Sequence, residues 1–270
     1  MHMKTRKQPL PFYFGEDRKL FGCFHEPFDK SVRRCAVLIC QAVGHEYINS
    51  HRALRQLAVG LADAGFPVLR FDYYGCGDSC GEAEQGSITR WVEDVSTAAS
   101  ELRTRSGMSQ VCVVGLRLGA TLAAFAGSRQ EYFESLVLWE PVVNGRSHLE
   151  ELAALHRDML RFRPKPKRSK SPGAYIEILG FSWSRLLHAQ MVELDLTKIA
   201  EKPAARVLIM QTAQVDRESG LKERLVQNQT RVEQQTLEAP EIWLPTPDGS
   251  LLVPAQALRT VVSWVSSASS

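Results

Sequence analysis

The chain has no apolar run approaching the ~18 residues that a membrane-spanning helix needs, so the sequence offers no membrane span. No charge of one sign dominates. Thirty-three Lys and Arg against 30 Asp and Glu leave a net +3, too little to point to a nucleic-acid partner. Cysteine is sparse, six in 270 residues, and Cys76 and Cys80 stand at a spacing a metal could use. No second Cys/His pair follows at zinc-finger spacing, which argues against a metal site. Cys35, Cys40 and Cys112 fall inside apolar, strand-like runs, where a free thiol behaves as a small hydrophobe. The opening Met1-His2-Met3-Lys4-Thr5-Arg6-Lys7 is basic but leads into no apolar segment, so it does not read as a secretory signal. Cytoplasm is the expected compartment, and no motif calls for a cofactor. Histidine is scarce as well: there are seven, and the last is His188.

What is present reads as a soluble globular protein, 44% hydrophobic and 23% charged. The length suffices for one large α/β domain or two small ones. Pro11–Phe14 and Lys19–Phe24 are short aromatic runs around a turn-like Gly15-Glu16-Asp17, as in an antiparallel hairpin. Cys35–Cys40 is continuously apolar, as a strand buried on both faces would be. Helices and strands then alternate. A helix capped by Ser50 is expected from His51 to Ala64, a strand over Pro67–Asp72, and a glycine-rich loop over Tyr74–Gly81. Ser87 caps the next helix through Leu102; a strand over Gln110–Val114, a helix over Ala120–Ala126 and a strand over Leu136–Trp139 follow. This alternation implies a parallel sheet with right-handed crossovers.

The sheet resumes at Arg206–Met210, with a further strand at Arg231–Leu237 and an amphipathic helix over Pro254–Val265. Between Trp139 and Arg206 two helical stretches, near Leu149–Leu160 and Trp183–Leu194, flank the basic run Arg161–Lys170. The expected organisation is a core in two parts, 1–143 and 203–270, with a helical lid inserted at 144–202. Phe181, Trp183, Leu186 and Leu187, read at helical spacing, are expected to rest on the pocket or line an acyl channel. The basic run is either a solvated loop or a docking surface for an acidic partner such as an acyl carrier protein.

The informative stretch is Val111-Cys112-Val113-Val114-Gly115-Leu116-Arg117-Leu118-Gly119-Ala120. An apolar strand, G-x-X-x-G and a small-residue helix form the layout of a nucleophile elbow, whose central residue projects above the sheet. That residue is here Arg117. With Gly44-His45-Glu46-Tyr47, Ser50-His51-Arg52, Phe71–Ser79 and Leu138–Arg146, the chain resembles the α/β-hydrolase superfamily, in its serine-aminopeptidase-like branch, near the bacterial exosortase-system-associated hydrolases. The four motifs in order cover most of the chain outside the insertion and the final thirty residues. The resemblance implies an α/β-hydrolase fold, and within that group an Arg at the elbow is itself common.

The superfamily orders its triad Ser, then Asp or Glu, then His. Asp216 stands where the acid belongs, but the region where the His belongs reads Glu238-Ala239-Pro240-Glu241-Ile242-Trp243. Two of three members are missing. Arg117 cannot attack a carbonyl, because a guanidinium stays protonated at any relevant pH. It is either an anion clamp for a carboxylate, phosphate or phosphopantetheine, or a buried ion pair with Glu46, Glu140 or Asp216. The mouth of the sheet is expected to gather His45 and Glu46 on a loop, Cys76 and Asp78 in the glycine loop, Arg117 with Leu116 beside it, Glu140 and Asp216.

Asp216, His45 and Cys76 are the candidate catalytic groups. His45 is a general base or bonds within its loop. Cys76 would be a nucleophile if Arg117 lowered its pKa. Arg117, Glu46, Leu116, Asp78 and Glu140 are the candidate ligand contacts, and Ser79 more naturally orders the glycine loop than attacks. The chain is thus read as an atypical hydrolase of an ester or thioester in bacterial lipid, polysaccharide or secondary-metabolite biosynthesis. The alternatives are a non-hydrolytic enzyme on the same scaffold, or a binding protein without activity that takes an acyl or anionic small molecule or an acidic carrier protein.

Overall fold

A computed structural model describes residues 8–28, 33–129, 133–161, 175–212, 220–246 and 248–268. Asp216 and the basic run beyond Arg161 lie outside the described residues. Ten strands occur among those described: β1 (Leu10–Phe14), β2 (Leu20–His25), β3 (Cys35–Cys40), β4 (Val68–Phe71), β5 (Gln110–Leu116), β6 (Phe133–Trp139), β7 (Tyr175–Ile178), β8 (Phe181–Ser184), β9 (Ala204–Thr212) and β10 (Arg231–Leu237). The helices are α1 (His45–Asp63), α2 (Ile88–Ser106), α3 (Leu118–Arg129), α4 (Gly145–Arg161), α5 (Arg185–Glu193), α6 (Leu221–Gln227) and α7 (Ala255–Ala268).

Eight strands form one sheet in the order β1-β2-β4-β3-β5-β6-β9-β10. The β1/β2 and β2/β4 pairs are antiparallel; every pair from β4 to β10 is parallel. β3 shows why its sequence is apolar throughout. Ala36, Leu38 and Cys40 enter the core on one face, and Cys35, Val37 and Ile39 enter the core on the other. Side chains of a strand alternate in direction, so only a strand covered on both sides needs six apolar residues in a row. α2 and α3 supply the cover on the first face, with Trp91, Val95 and Leu102 buried. α1 and α7 cover the second, with Leu54, Leu57, Leu61, Val261 and Trp264 buried.

Two expectations need correction, and one element has no counterpart in the sequence reading. Helix α1 begins at His45, not after Ser50. Gly44, at φ 65°, turns the chain into the helix, and the Ser50 hydroxyl donates back to the Glu46 carbonyl at 2.7 Å instead of capping. His45 and Glu46 are therefore first-turn helix residues and not loop residues. Phe181 and Trp183 lie on strand β8, paired with β7 through a two-residue turn at Leu179 (φ 54°) and Gly180 (φ 85°). Finally, α6 carries no expectation from the sequence; its seven residues are too few for periodicity to register.

The segment between β6 and β9 thus consists, where described, of α4, a hairpin and α5. Asn144 caps α4, its side chain accepting from the Ser147 N–H at 3.1 Å. Gly145 brings α4 and α5 into backbone contact: its N–H donates to the Leu194 carbonyl at 2.9 Å, and a Cβ there would stand 1.8 Å from the Met191 oxygen. Among the described residues no helix is long and apolar enough to cross a membrane.

Candidate active site

The elbow is built as its sequence requires. Arg117 sits at φ 53°, in the left-handed region that costs a non-glycine residue free energy and is held only by its surroundings. Here its N–H donates to the Trp139 carbonyl at 2.9 Å, and its own carbonyl accepts from Ala120 at 3.0 Å. The flanking glycines leave no room for a side chain. A Cβ on Gly115 would meet the Ala120 Cα at 2.3 Å, and one on Gly119 would meet the Gln41 carbonyl at 2.3 Å.

Arg117 is 2% exposed, so its charge must be answered inside the protein. Its Nε donates to Glu46 Oε1 at 2.8 Å, from the first turn of α1. Its Nη2 donates to Glu151 Oε2 at 3.0 Å and to His148 Nδ1 at 3.2 Å, both from α4. The Trp243 ring, from the loop after β10, lies over the guanidinium at 5.2 Å. Burial works against the charge, but Glu46 and then Glu151 outweigh it and hold the arginine pKa above its ordinary value. A guanidinium has no acceptor, so the His148 contact defines a direction: Nδ1 accepts, and a neutral ring then carries its proton on Nε2.

Of the acidic partners expected for Arg117, Glu46 is brought to it, Glu140 is not, and Asp216 lies outside the described residues. Glu140 is buried at φ 45° and bonds elsewhere: its Oε1 accepts from the backbone N–H of Thr212 and from the Thr212 hydroxyl. It closes the end of β9 instead of pairing with the arginine. His148, Glu151 and Trp243 are the partners that sequence reasoning missed.

The remaining expected site residues are dispersed. His45 Nδ1 faces the Asn49 amide at 3.2 Å, and that amide also donates to the Trp243 carbonyl at 3.1 Å. Burial lowers the His45 pKa despite the adjacent Glu46, so the ring is neutral near pH 7. Leu116 is fully buried in the core behind the elbow. Asp78 is exposed, and its backbone N–H donates to Asp72 Oδ2 at 2.9 Å. Ser79 orders the glycine loop as expected, donating to the Asp72 carbonyl at 2.5 Å and accepting from the Phe21 N–H at 2.9 Å. Cys76 is held as the thiol: burial pushes its pKa up to about 12, with Asp72 and Asp94 adding to the effect. Arg117 is not among the groups that act on it.

Two cavities open at this end of the sheet. One, of about 470 Å³, is lined by Arg117, Glu140, His148, Glu151, Asp195 and Gln211, with apolar walls from Val142, Val143, Ile209 and Leu221. The other, of about 130 Å³, is mostly apolar and is lined by Cys76, Tyr73, Trp91, Phe181, Trp183 and Leu187 among others. Cys76 and Arg117 thus face different spaces. Leu116, Asp78 and His45 line neither. Among the described residues no cluster of His, Cys, Asp and Glu is placed to hold a metal ion.

Residues 35–212 match the family described as serine aminopeptidase, S33. The human protein ABHD12B is 34% identical over 140 residues, a match covering 50% of this chain and 37% of that protein, so the chain spans little more than a third of its length. Among solved structures, Est1E from Butyrivibrio proteoclasticus with bound ferulic acid superposes with a TM-score of 0.62 at 15% identity, over 92% of this chain and 93% of that one. An esterase from Pyrococcus furiosus gives 0.64 at 16% identity, over 97% of this chain and 91% of that one. A sugar hydrolase from Lactococcus lactis gives 0.59 at 18% identity, over 96% of each. At these identities the likeness to the solved structures is one of fold.

Proposed function

We propose, since the chain belongs to the serine aminopeptidase (S33) family of α/β-hydrolases, that it is a member whose elbow has been turned from catalysis to binding: it holds a small molecule in the Arg117 cavity and forms no acyl-enzyme. The observation that carries this reading is the pairing of Arg117 with Glu46 at 2.8 Å and Glu151 at 3.0 Å, at the position where the family's nucleophile would stand. A protonated guanidinium cannot attack a carbonyl. The imidazole beside it has its Nδ1 lone pair committed to Arg117, which takes that nitrogen out of use as a base. The α4–hairpin–α5 segment serves in this reading as a lid, contributing His148 and Glu151 to one cavity and Phe181 and Trp183 to the other. The narrower affinity with exosortase-associated hydrolases, and a place in biosynthesis, rest on the sequence motifs alone.

A second reading is hydrolysis of an ester or thioester by water, without a covalent intermediate. The esterase fold of the neighbours and the carboxylates of Glu140 and Glu151 in the cavity favour it. The two readings separate in one set of assays. The binding protein shows no turnover of p-nitrophenyl acetate, p-nitrophenyl butyrate or an acyl thioester above the buffer rate, and a fluorophosphonate probe leaves it unlabelled. Arg117→Ser creates no activity, because the late histidine is still absent. Turnover by the unmodified protein that disappears in Glu151→Gln would replace the first reading with the second.

A further inference from the structure

The smaller cavity lies where the β7–β8 hairpin and α5 meet the glycine loop, and its wall carries no charge. No Asp, Glu, Lys, Arg or His lines it among the described residues. Its one thiol, Cys76, is kept protonated by burial. The wall is largely aromatic, with Tyr73, Trp91, Phe181 and Trp183, and Leu187 beside them.

The fully buried polar side chains of this wall are committed elsewhere, with one exception. Gln41 Nε2 donates to the Phe71 carbonyl at 2.7 Å, the Tyr73 hydroxyl to the Gln41 carbonyl at 3.3 Å, and Trp91 Nε1 to the Tyr74 carbonyl at 3.0 Å. Tyr47 and Ser182 are only partly buried, so water can serve their hydroxyls. Trp183 is the exception. It is 4% exposed, yet its indole N–H has no partner among the described residues. Packing does not seal the nitrogen either, since it is not one of the enclosed atoms left without a bond. It lies 4.0 Å from where a Cβ on Gly44 would stand, and Gly44 is another wall residue. The open space beside it is therefore this cavity. A buried tryptophan N–H ordinarily finds an acceptor, and one without it bears the cost of its lost hydration.

We infer that this cavity binds a small uncharged aromatic compound bearing one carbonyl, with Trp183 Nε1 donating to the carbonyl oxygen. Ring walls favour a flat partner through stacked and edge contacts. The cavity volume of about 130 Å³ is close to the ~150 Å³ that holds a single benzene ring. A charged ligand would lose its hydration there and meet no counter-ion in the wall. Arg117 does not line this cavity, so the inference does not rest on how the Arg117 cavity is read.

The test uses the full chain and three probes: acetophenone, ethylbenzene, which has the same ring without the oxygen, and benzoate. Titration of the unmodified protein should rank acetophenone about threefold or more above ethylbenzene, the worth of one net hydrogen bond. Benzoate should bind about tenfold or more weaker than acetophenone, because its charge must be desolvated. The chain has five tryptophans, and the Trp183 indole signal in a 1H–15N spectrum is identified by its loss in Trp183→Phe. That signal should move downfield on saturation with acetophenone and not with ethylbenzene. Trp183→Phe should abolish the advantage of acetophenone and leave ethylbenzene binding within about twofold, since the ring is kept. The unfolding temperature of the variant separates lost binding from lost folding, and the indole shift in the unmodified protein decides the matter should the variant not fold. Ethylbenzene or benzoate binding as tightly as acetophenone would overturn the inference. So would undetectable binding of acetophenone, an unmoved Trp183 signal, or an acetophenone advantage that survives Trp183→Phe. None of these results depends on the esterase assays, so failure here and failure of the non-hydrolytic reading can be told apart.

Discussion

Arg117 occupies a strained backbone position and a buried side-chain position at once, and both are paid for by neighbours that the sequence holds far away. Glu46 stands 71 residues before it and His148 31 residues after. Glu46 was legible as one of three candidate partners, because the superfamily motifs place it at the same end of the sheet. His148 and Glu151 were not. They lie one turn apart at the start of α4, a spacing that puts them on one face, but no periodic signal says which face of an inserted helix turns toward the elbow. Trp243 was read only as the absence of a histidine. Cys76 shows the opposite limit, since its chemistry depends on burial that a motif does not report. With its thiol pKa raised to about 12, it should stay unalkylated when the native protein meets iodoacetamide at pH 8, while exposed Cys80 reacts within minutes. Peptide mass spectrometry reads both sites, and early labelling of Cys76 would contradict its assigned environment.

Elements were legible where the hydrophobic period was long. β3, α2, β5 and α7 fall within a few residues of their expected bounds, because both faces of the sheet and one face of each helix must be apolar. α1 began too late in the sequence reading because Ser50 has the chemistry of a cap, yet its hydroxyl bonds back along the helix. Strand β8 reads as helix in the sequence because Phe181, Trp183 and Leu187 also fit a helical spacing, and Leu179-Gly180 is not the common Asn-Gly turn. At the junction of α2 and the glycine loop, Asp94 accepts from the Tyr74 N–H at 2.9 Å, and Trp91 Nε1 donates to the Tyr74 carbonyl at 3.0 Å. Burial raises the Asp94 pKa to about 6, above its ordinary value of 3.8. Between those values the folded chain retains a proton that the unfolded chain releases, so this group adds stability as pH falls from about 6 to about 4 and costs stability above 6. Asp94→Asn keeps an acceptor for Tyr74. It should be more stable than the unmodified protein above pH 6, with the advantage shrinking toward zero near pH 4. Urea unfolding across that range checks it, and a difference that does not change with pH would count against the assignment.

For the molecule as a whole, the alternation of strands and helices is enough to imply a parallel sheet with right-handed crossovers, while the strand order is seen in the structure alone. What the alternation could not give is how the insertion meets the core. One part of that contact is Arg117, which joins α1 through Glu46, α4 through Glu151 and His148, and the last loop through Trp243. An arginine at the elbow is on this account a keystone between three parts of the fold. Removing one member of a buried pair leaves the other charge uncompensated, which typically costs about 3–5 kcal/mol. The most direct measurement is a double-mutant cycle on Arg117→Met and Glu46→Gln, read by urea unfolding. Each single variant should lose stability in that range, and the double variant should lose clearly less than their sum, with a coupling of about 2–3 kcal/mol. Additive losses, with a coupling below about 0.5 kcal/mol, would contradict the account.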